Sequence, residues 1–430
     1  MKLRLKIILA VMVCSLLVVA CSPNKETVKY EGDPEMKATL KVLTNADTKY
    51  FMESEGDLFN VKYPNIEIQF VRYTPDNIDK VIEEEKPEIF ILTLDEYKEY
   101  LQNNRLFDLD VLFSNDAFQL EGIHPEIVNY LRQIGNGKLY GLPTEFTNQA
   151  VYYNKDLFDK YGIPYPQDGM TWEELFQLAK RFPAEDGVYG LYMNFSNLVD
   201  DLAWRRGLNP INTKEMKVTL NTASYKEIFE MILDAYESKA ITLPDLDRFE
   251  VYDPFITGES AMIVDYNEYI KNHINWAKAE QGSKFNLNWE LASGPVEESS
   301  RDISPHFTIT GIYAINAESE QKQAAWEFIK FASSEELAKV KSKAISHIFL
   351  STRTNTIPNP DGKRMEAFYN LKPDVNAHTG VDYRLLPLRT YSNLKGIINS
   401  EAKAVMVGAK TLDEAMLSMQ ERGQRLLDEK

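Results

Sequence analysis

The chain has 430 residues, 44% of them hydrophobic and 11% aromatic, with 48 Lys and Arg against 65 Asp and Glu for a formal net charge of −17. Such an acidic surface repels phosphates, so nucleic acid and anionic lipid head groups are disfavoured as partners. The length exceeds what one core usually fills, so two domains are expected, and with only two cysteines, Cys14 and Cys21, both near the start, they are held by packing and not by a disulfide framework.

A basic start (Lys2, Arg4, Lys6) and the uncharged run from Ile7 to Ala20 have the layout of an export signal. That run has 14 residues, short of the roughly 20 that cross a bilayer core. Val18-Val19-Ala20-Cys21 resembles the lipobox of bacterial lipoproteins. The resemblance implies a diacylglyceryl group on the Cys21 sulfur, cleavage before it and loss of residues 1–20. An ordinary secretory signal with a chance cysteine is the alternative, and it also places the protein outside the cell. Removal of Lys2, Arg4 and Lys6 takes the net charge from −17 to −20, and Cys14 leaves with them. Residues 21–37 are polar, contain Pro23, Gly32 and Pro34, and read as a flexible tether.

Beyond the tether, short β-type runs alternate with longer helical ones, which predicts βα units and mainly parallel sheets. Thr39 to Leu43 opens the first sheet, Ile66, Ile68 and Phe70 alternate on a second strand, and Glu88 to Leu92 reads as a buried third. The stretches 47–62 and 76–86 read as helices. Thr171-Trp172-Glu173-Glu174 is a capping box that starts a helix with Leu175, Phe176, Leu178, Ala179 and Phe182 on one face. The same device is expected at Ser333 with Glu336 and at Thr411 with Glu414. Leu412, Ala415, Met416, Met419 and Leu426 then mark an amphipathic C-terminal helix.

Catalytic parts are lacking. The sequence has no glycine-rich phosphate loop and no Gly-x-Ser-x-Gly elbow, and its histidines (His124, His273, His306, His347, His378) show no metal-ligand spacing, so no metal or cofactor is expected. Glu145 with Asp265 is the carboxylate pair to test for glycoside hydrolysis, but among 65 acidic residues a chance pair is the default and no enzyme activity is expected.

One ordered set of segments is distinctive: Gly137-Lys138-Leu139-Tyr140-Gly141-Leu142-Pro143, Val151-Tyr152-Tyr153-Asn154-Lys155-Asp156-Leu157-Phe158, Tyr161-Gly162-Ile163-Pro164 and Thr171-Trp172-Glu173-Glu174-Leu175. Together with Phe255 to Met262, Gly311 to Ile315 and Ala324 to Ile329, it resembles the extracellular solute-binding proteins of the maltose-binding type that serve ABC importers. The match runs from Leu40 to Leu427. Gly141 and Gly162 read as turn residues, Pro143 as a strand end and Trp172 as packing.

The resemblance implies a periplasmic-binding-protein-like fold of two lobes, 38–146 plus 296–338 and 147–295 plus 339–430, with a ligand cleft between them. Crossovers are expected near Pro143 to Tyr152, at Gly294-Pro295 and around 339–350. Ligands collect at the carboxyl ends of strands in such sheets. That rule and the family pattern select Asn45, Asp47, Thr93, Glu145 beside Thr147 and Asn148, Asp265, Tyr266, Thr310, Gly311 and Arg353. Tyr192, Trp204 and Tyr266 are the aromatics for stacking on a sugar face. Two stretches depart from the family pattern: Ser304 to Thr310 lacks the usual small residues, and no proline accompanies Arg353, which bears on the role of that arginine.

The expected function is capture of a mono- or oligosaccharide by a monomeric receptor, lipid-anchored on the outer face of the cell membrane, that docks on ABC importer permease subunits. A polyamine or peptide ligand, and a signalling or structural lipoprotein with the same fold, are the alternatives.

Overall fold

Strands form wherever a run of apolar residues must be covered on both faces, and the connections decide which way they pair. The computed structural model describes residues 35–428 apart from 46, 75–76, 114–117, 119, 244–250, 345–347, 375–385 and 387–388. The export signal, Cys21 and most of the tether lie outside the described residues. In the first sheet are β1 (Ala38–Thr44), β2 (Ile66–Arg72), β3 (Ile89–Leu92) and β4 (Gly141–Thr147). The second sheet holds β5 (Gln149–Asn154), β6 (Tyr189–Tyr192), β7 (Ile241–Thr242), β8 (Ser260–Tyr266) and β9 (Trp289–Ser293). The chain then returns to the first sheet with β10 (Thr308–Ile315) and β11 (Leu350–Ser351).

The six-stranded first sheet has the order β11-β4-β10-β3-β1-β2, and the five-stranded second sheet β9-β5-β8-β6-β7. The architecture is the expected two-lobed α/β one, but the sheets are more mixed than mainly parallel. β1 pairs parallel with β2 and β3, and β6 pairs parallel with β7 and β8. Every pairing made by a strand next to a crossover is antiparallel: β10 with β3 and β4, β11 with β4, and β5 with β8 and β9. β5 and β10 come from the other lobe and enter their sheets from the opposite end, so they cannot run parallel to their neighbours without a further crossover.

Local signals locate most helices. Thr171 and Glu174 close a reciprocal capping box on the helix α1 (Trp172–Ala179), which buries Trp172 against the second core. Thr411 and Glu414 do the same before α2 (Leu412–Asp428). The cap expected at Ser333 is instead Ser334, whose hydroxyl accepts from the Leu337 N–H. Gly162 ends its helix at φ +63°, a left-handed position. Gly141 is not a turn residue but lies in β4, where a Cβ would sit 2.7 Å from Ile312. Pro143 does not end that strand either. Its missing N–H is tolerated because β11 pairs with β4 only at Phe146 and Glu145.

Three crossovers join the lobes. The first is a single residue, Asn148, between β4 and β5. The second leaves β9 through the cis Gly294-Pro295 bond and reaches β10 by way of Ser304. The third comes later than 339–350: Leu350 and Ser351 still pair with β4, and only the turn Met365–Phe368 lies against β5 and β9. The open edge of β4 explains this, since its backbone groups need a partner that the segment 350–351 supplies. The side chain of Asn148 is buried and joins all three crossovers. Its amide donates to the Phe368 carbonyl at 2.9 Å, and its oxygen accepts from the Ser304 hydroxyl at 2.8 Å and the Gln149 N–H at 2.9 Å. Asn267 extends the knot, accepting from the Asn148 N–H at 3.2 Å and donating to the Ile348 carbonyl at 2.8 Å.

Asn148→Ala should therefore lower the unfolding free energy by about 2 to 4 kcal/mol, because it strands buried partners of the lost amide. Urea unfolding followed by tryptophan fluorescence checks this, and a loss below about 1 kcal/mol would mean that the crossovers do not depend on Asn148.

Candidate functional site

β1, β3 and β4 all point their carboxyl ends to the same side, because β10 runs antiparallel to both β3 and β4. At those ends, between the lobes, lies a cavity of about 570 Å³. Thr44 and Asn45 line it from the end of β1, Leu92 and Thr93 from β3, and Thr144 and Glu145 from β4. The entering end of β10 adds Thr308 to Gly311. Gly311 has φ +60°, a left-handed conformation that side-chain-bearing residues rarely adopt, and lies beside Thr144. From the second lobe Trp204 lines the cavity, carried on the helix α3 (Phe195–Arg205). Its indole N–H donates to the Pro305 carbonyl at 3.1 Å, which fixes the ring. Phe307 also lines the cavity while stacking on Phe146, centroids 4.8 Å apart and planes 8° apart.

Six of the sequence-selected residues are thus brought together: Asn45, Thr93, Glu145, Trp204, Thr310 and Gly311. Glu145 faces Thr310 across the β4–β10 pair. The Thr310 hydroxyl is buried without a hydrogen-bond partner among the described residues. Thr93 is also a helix cap, its hydroxyl donating to Glu96 at 2.9 Å, so its freedom to meet a ligand is limited.

Others lie outside the cavity. Asp47 caps its own helix, accepting from the Lys49 and Tyr50 N–H groups. Arg353 is buried away from it, its guanidinium donating to the Ser333 and Glu121 carbonyls at 2.6 Å each. Tyr192, Asp265 and Tyr266 occupy the carboxyl ends of β6 and β8 in the second lobe. Asp265 therefore does not share the cavity that Glu145 lines, and the imagined carboxylate pair is not assembled. No group of His, Cys, Asp or Glu able to hold a metal occurs among the described residues, nor does a helix long and apolar enough to cross a membrane.

Sequence reasoning missed the ionic floor of the cavity. Lys341 ends the helix Glu335–Lys341, and its ammonium sits 2.9 Å from Glu55 Oε1 and in contact with Glu145 Oε1. Burial opposes the Lys341 charge, but the two carboxylates outweigh it and raise its pKa. Glu55 is fully buried because a wide turn at Met52–Gly56 rotates it inward, where the Tyr313 hydroxyl donates to it at 2.7 Å. Nothing local in the sequence marks these residues, since Glu55 and Lys341 meet across 286 positions.

A second polar cluster lies beside the crossovers. Gln149 donates to Asp201 Oδ1 at 3.3 Å, and His306 Nε2 is 3.6 Å from the same oxygen. Burial pushes Asp201 up to about 6 and, with the nearby Arg205 cation, pushes His306 down to about 3. Asp265 is pushed up to about 7 by burial, against the Tyr266 N–H that donates to it at 2.7 Å, with Glu268 and Asp201 adding repulsion.

A carboxyl raised above its unfolded value of about 3.9 stabilises the native state fully below that pH and loses this contribution as pH rises through about 7. Asp265→Asn should hence melt higher than the parent at pH 8, by on the order of 1 to 3 kcal/mol, and converge with it near pH 4. Melting curves across that range test the sign, and equal stability at pH 8 would mean that the carboxylate is well solvated.

A family model described as bacterial extracellular solute-binding protein matches residues 35–339. The sn-glycerol-3-phosphate-binding periplasmic protein UgpB of Rhizobium meliloti is 22% identical over 324 residues, covering 70% of each chain. Among solved structures, an extracellular solute-binding protein family 1 member from Alicyclobacillus acidocaldarius superposes with TM-score 0.61 at 17% identity, over 92% of this chain and 100% of that one. The sugar-binding protein MalE of Xanthomonas citri gives TM-score 0.59 at 15% identity, over 91% and 97%. A sugar transporter protein of Rhizobium etli in an open conformation gives 0.55 at 22%, over 90% and 99%. These likenesses share the two-lobed fold, and the family model spans well over half of the sequence: the chain belongs to the bacterial extracellular solute-binding proteins.

Proposed function

We propose that the chain is the receptor of an ABC importer, held on the outer face of the membrane by lipid on Cys21, and that it captures a mono- or oligosaccharide between its lobes. The observation that carries the reading is the make-up of the cleft. The aromatic rings of Trp204 and Phe307 and the hydrogen-bonding groups of Asn45, Glu145 and Thr310 line one cavity of about 570 Å³. A sugar ring offers apolar C–H faces to the first and vicinal hydroxyls to the second. The sugar-binding MalE and the Rhizobium etli sugar transporter protein, with the same fold, support the class of solute. The basic, apolar, lipobox-like start supports export and anchoring. Capture follows from contacts that both lobes can make only when they approach, so the free energy of binding is what moves the crossovers.

Thermal shift of the chain from Ser22 against a panel of mono- and oligosaccharides tests this. A solute at 100 times its Kd adds about 2.7 kcal/mol of stability. Trp204→Ala should weaken the saccharide that scores by about 1 to 3 kcal/mol in calorimetric titration. Silence across the saccharides with a hit from a polyamine or peptide would overturn the sugar assignment, and unchanged affinity in the variant would remove Trp204 from the site.

A further inference from the structure

The acidic and basic residues that line the cleft are Asp95, Lys98, Glu145 and Lys341, two of each. Glu55 breaks the balance. It lies fully buried behind Lys341 and shares the ammonium with Glu145, so the trio carries one net negative charge at the cleft floor. Tyr313 holds Glu55 from its other side, donating to both carboxylate oxygens at 2.7 Å. Lys341 is therefore engaged by two carboxylates and is not available to an incoming anion unless Glu145 is displaced. Glu145 has only 12% of its side chain exposed, so its field is weakly screened by solvent. The neighbouring Thr310 hydroxyl, opposite it on β10, can serve the same ligand hydroxyls.

We propose that Glu145 is the charge-discriminating residue of the solute site: it accepts hydrogen bonds from sugar hydroxyls and excludes phosphorylated solutes, with Lys341 and Glu55 as its positioning residues. The proposal rests on the saccharide-receptor reading and narrows it to solutes without an anionic group. It also separates this cleft from relatives named for binding sn-glycerol 3-phosphate, at 22% identity. A like charge placed beside Glu145 is disfavoured by repulsion, whereas a neutral hydroxyl pair is not.

The test is calorimetric titration with matched pairs: glycerol and sn-glycerol 3-phosphate, glucose and glucose 6-phosphate, mannitol and mannitol 1-phosphate, maltose and maltose 1-phosphate. The expected result is that at least one neutral member binds and its phosphate binds about tenfold or more weaker. Glu145→Gln should shrink that ratio to about threefold or less by improving the phosphate. Lys341→Arg should keep the ratio, and Lys341→Met should widen it. Folding of each variant is verified by its melting curve, and the ratio is a readout that a merely structural role would not move. A phosphate bound as tightly as its neutral partner by the parent chain, or a ratio unchanged in Glu145→Gln, would overturn the proposal while leaving the receptor reading intact. Binding of no neutral member would overturn the saccharide assignment and this proposal with it.

Discussion

One buried amide ties together the three crossovers that join the lobes. Asn148 is the whole of the first crossover, and its side chain hydrogen-bonds the second at Ser304 and the third at Phe368. A buried amide has a fixed set of donors and acceptors, and each one left unmade costs about as much as a lost hydrogen bond. The three crossovers must therefore stay in register with each other whatever the lobes do. Asn267 ties the same knot to Ile348, beside the cleft. Rotation of the lobes about these segments preserves the bonds, whereas sliding of one lobe along the other breaks them.

The cleft inherits its geometry from this constraint. β4 ends at Thr147, one residue before the knot, so Glu145 is held at the cavity while its strand is clamped between β10 and β11. Lys341 then joins Glu145 to Glu55. A buried ion pair contributes little net stability on its own, yet removal of one partner is strongly destabilising, by about 3 to 5 kcal/mol. The trio accordingly acts as a specification of position more than as a source of stability. Trp204 follows the same logic, since its ring is oriented by a bond to the Pro305 carbonyl in the second crossover.

Much of this was legible in the sequence where the cause is local. The buried strand Ile89–Leu92, the capping boxes at Thr171 and Thr411 and the C-terminal helix all announce themselves through a few neighbouring residues. Asn45, Thr93, Glu145 and Thr310, selected by the convergence of strand ends together with the family pattern, all line the cavity. Lys341 and Glu55 were not found, since their meeting depends on a wide turn and a helix end hundreds of residues apart. Arg353 looked like a ligand group by family pattern, but carbonyls at Ser333 and Glu121 satisfy its guanidinium inside the first lobe. The mixed strand directions were missed because alternation of β and α runs says nothing of where a chain re-enters a sheet.

If a saccharide is captured between the two lobes, the lobes must close on it. Both cysteines, Cys14 and Cys21, precede the described residues, so a chain from Ser22 carries only the thiols placed in it. Spin labels at Glu99→Cys, on the helix behind Thr93, and at Arg206→Cys, next to the helix that carries Trp204, report the width of the cleft mouth. Pulsed electron double resonance with and without a saturating saccharide should show the inter-label distance shorten into one narrow distribution. A distribution that stays unchanged while the saccharide is bound would contradict capture by closure.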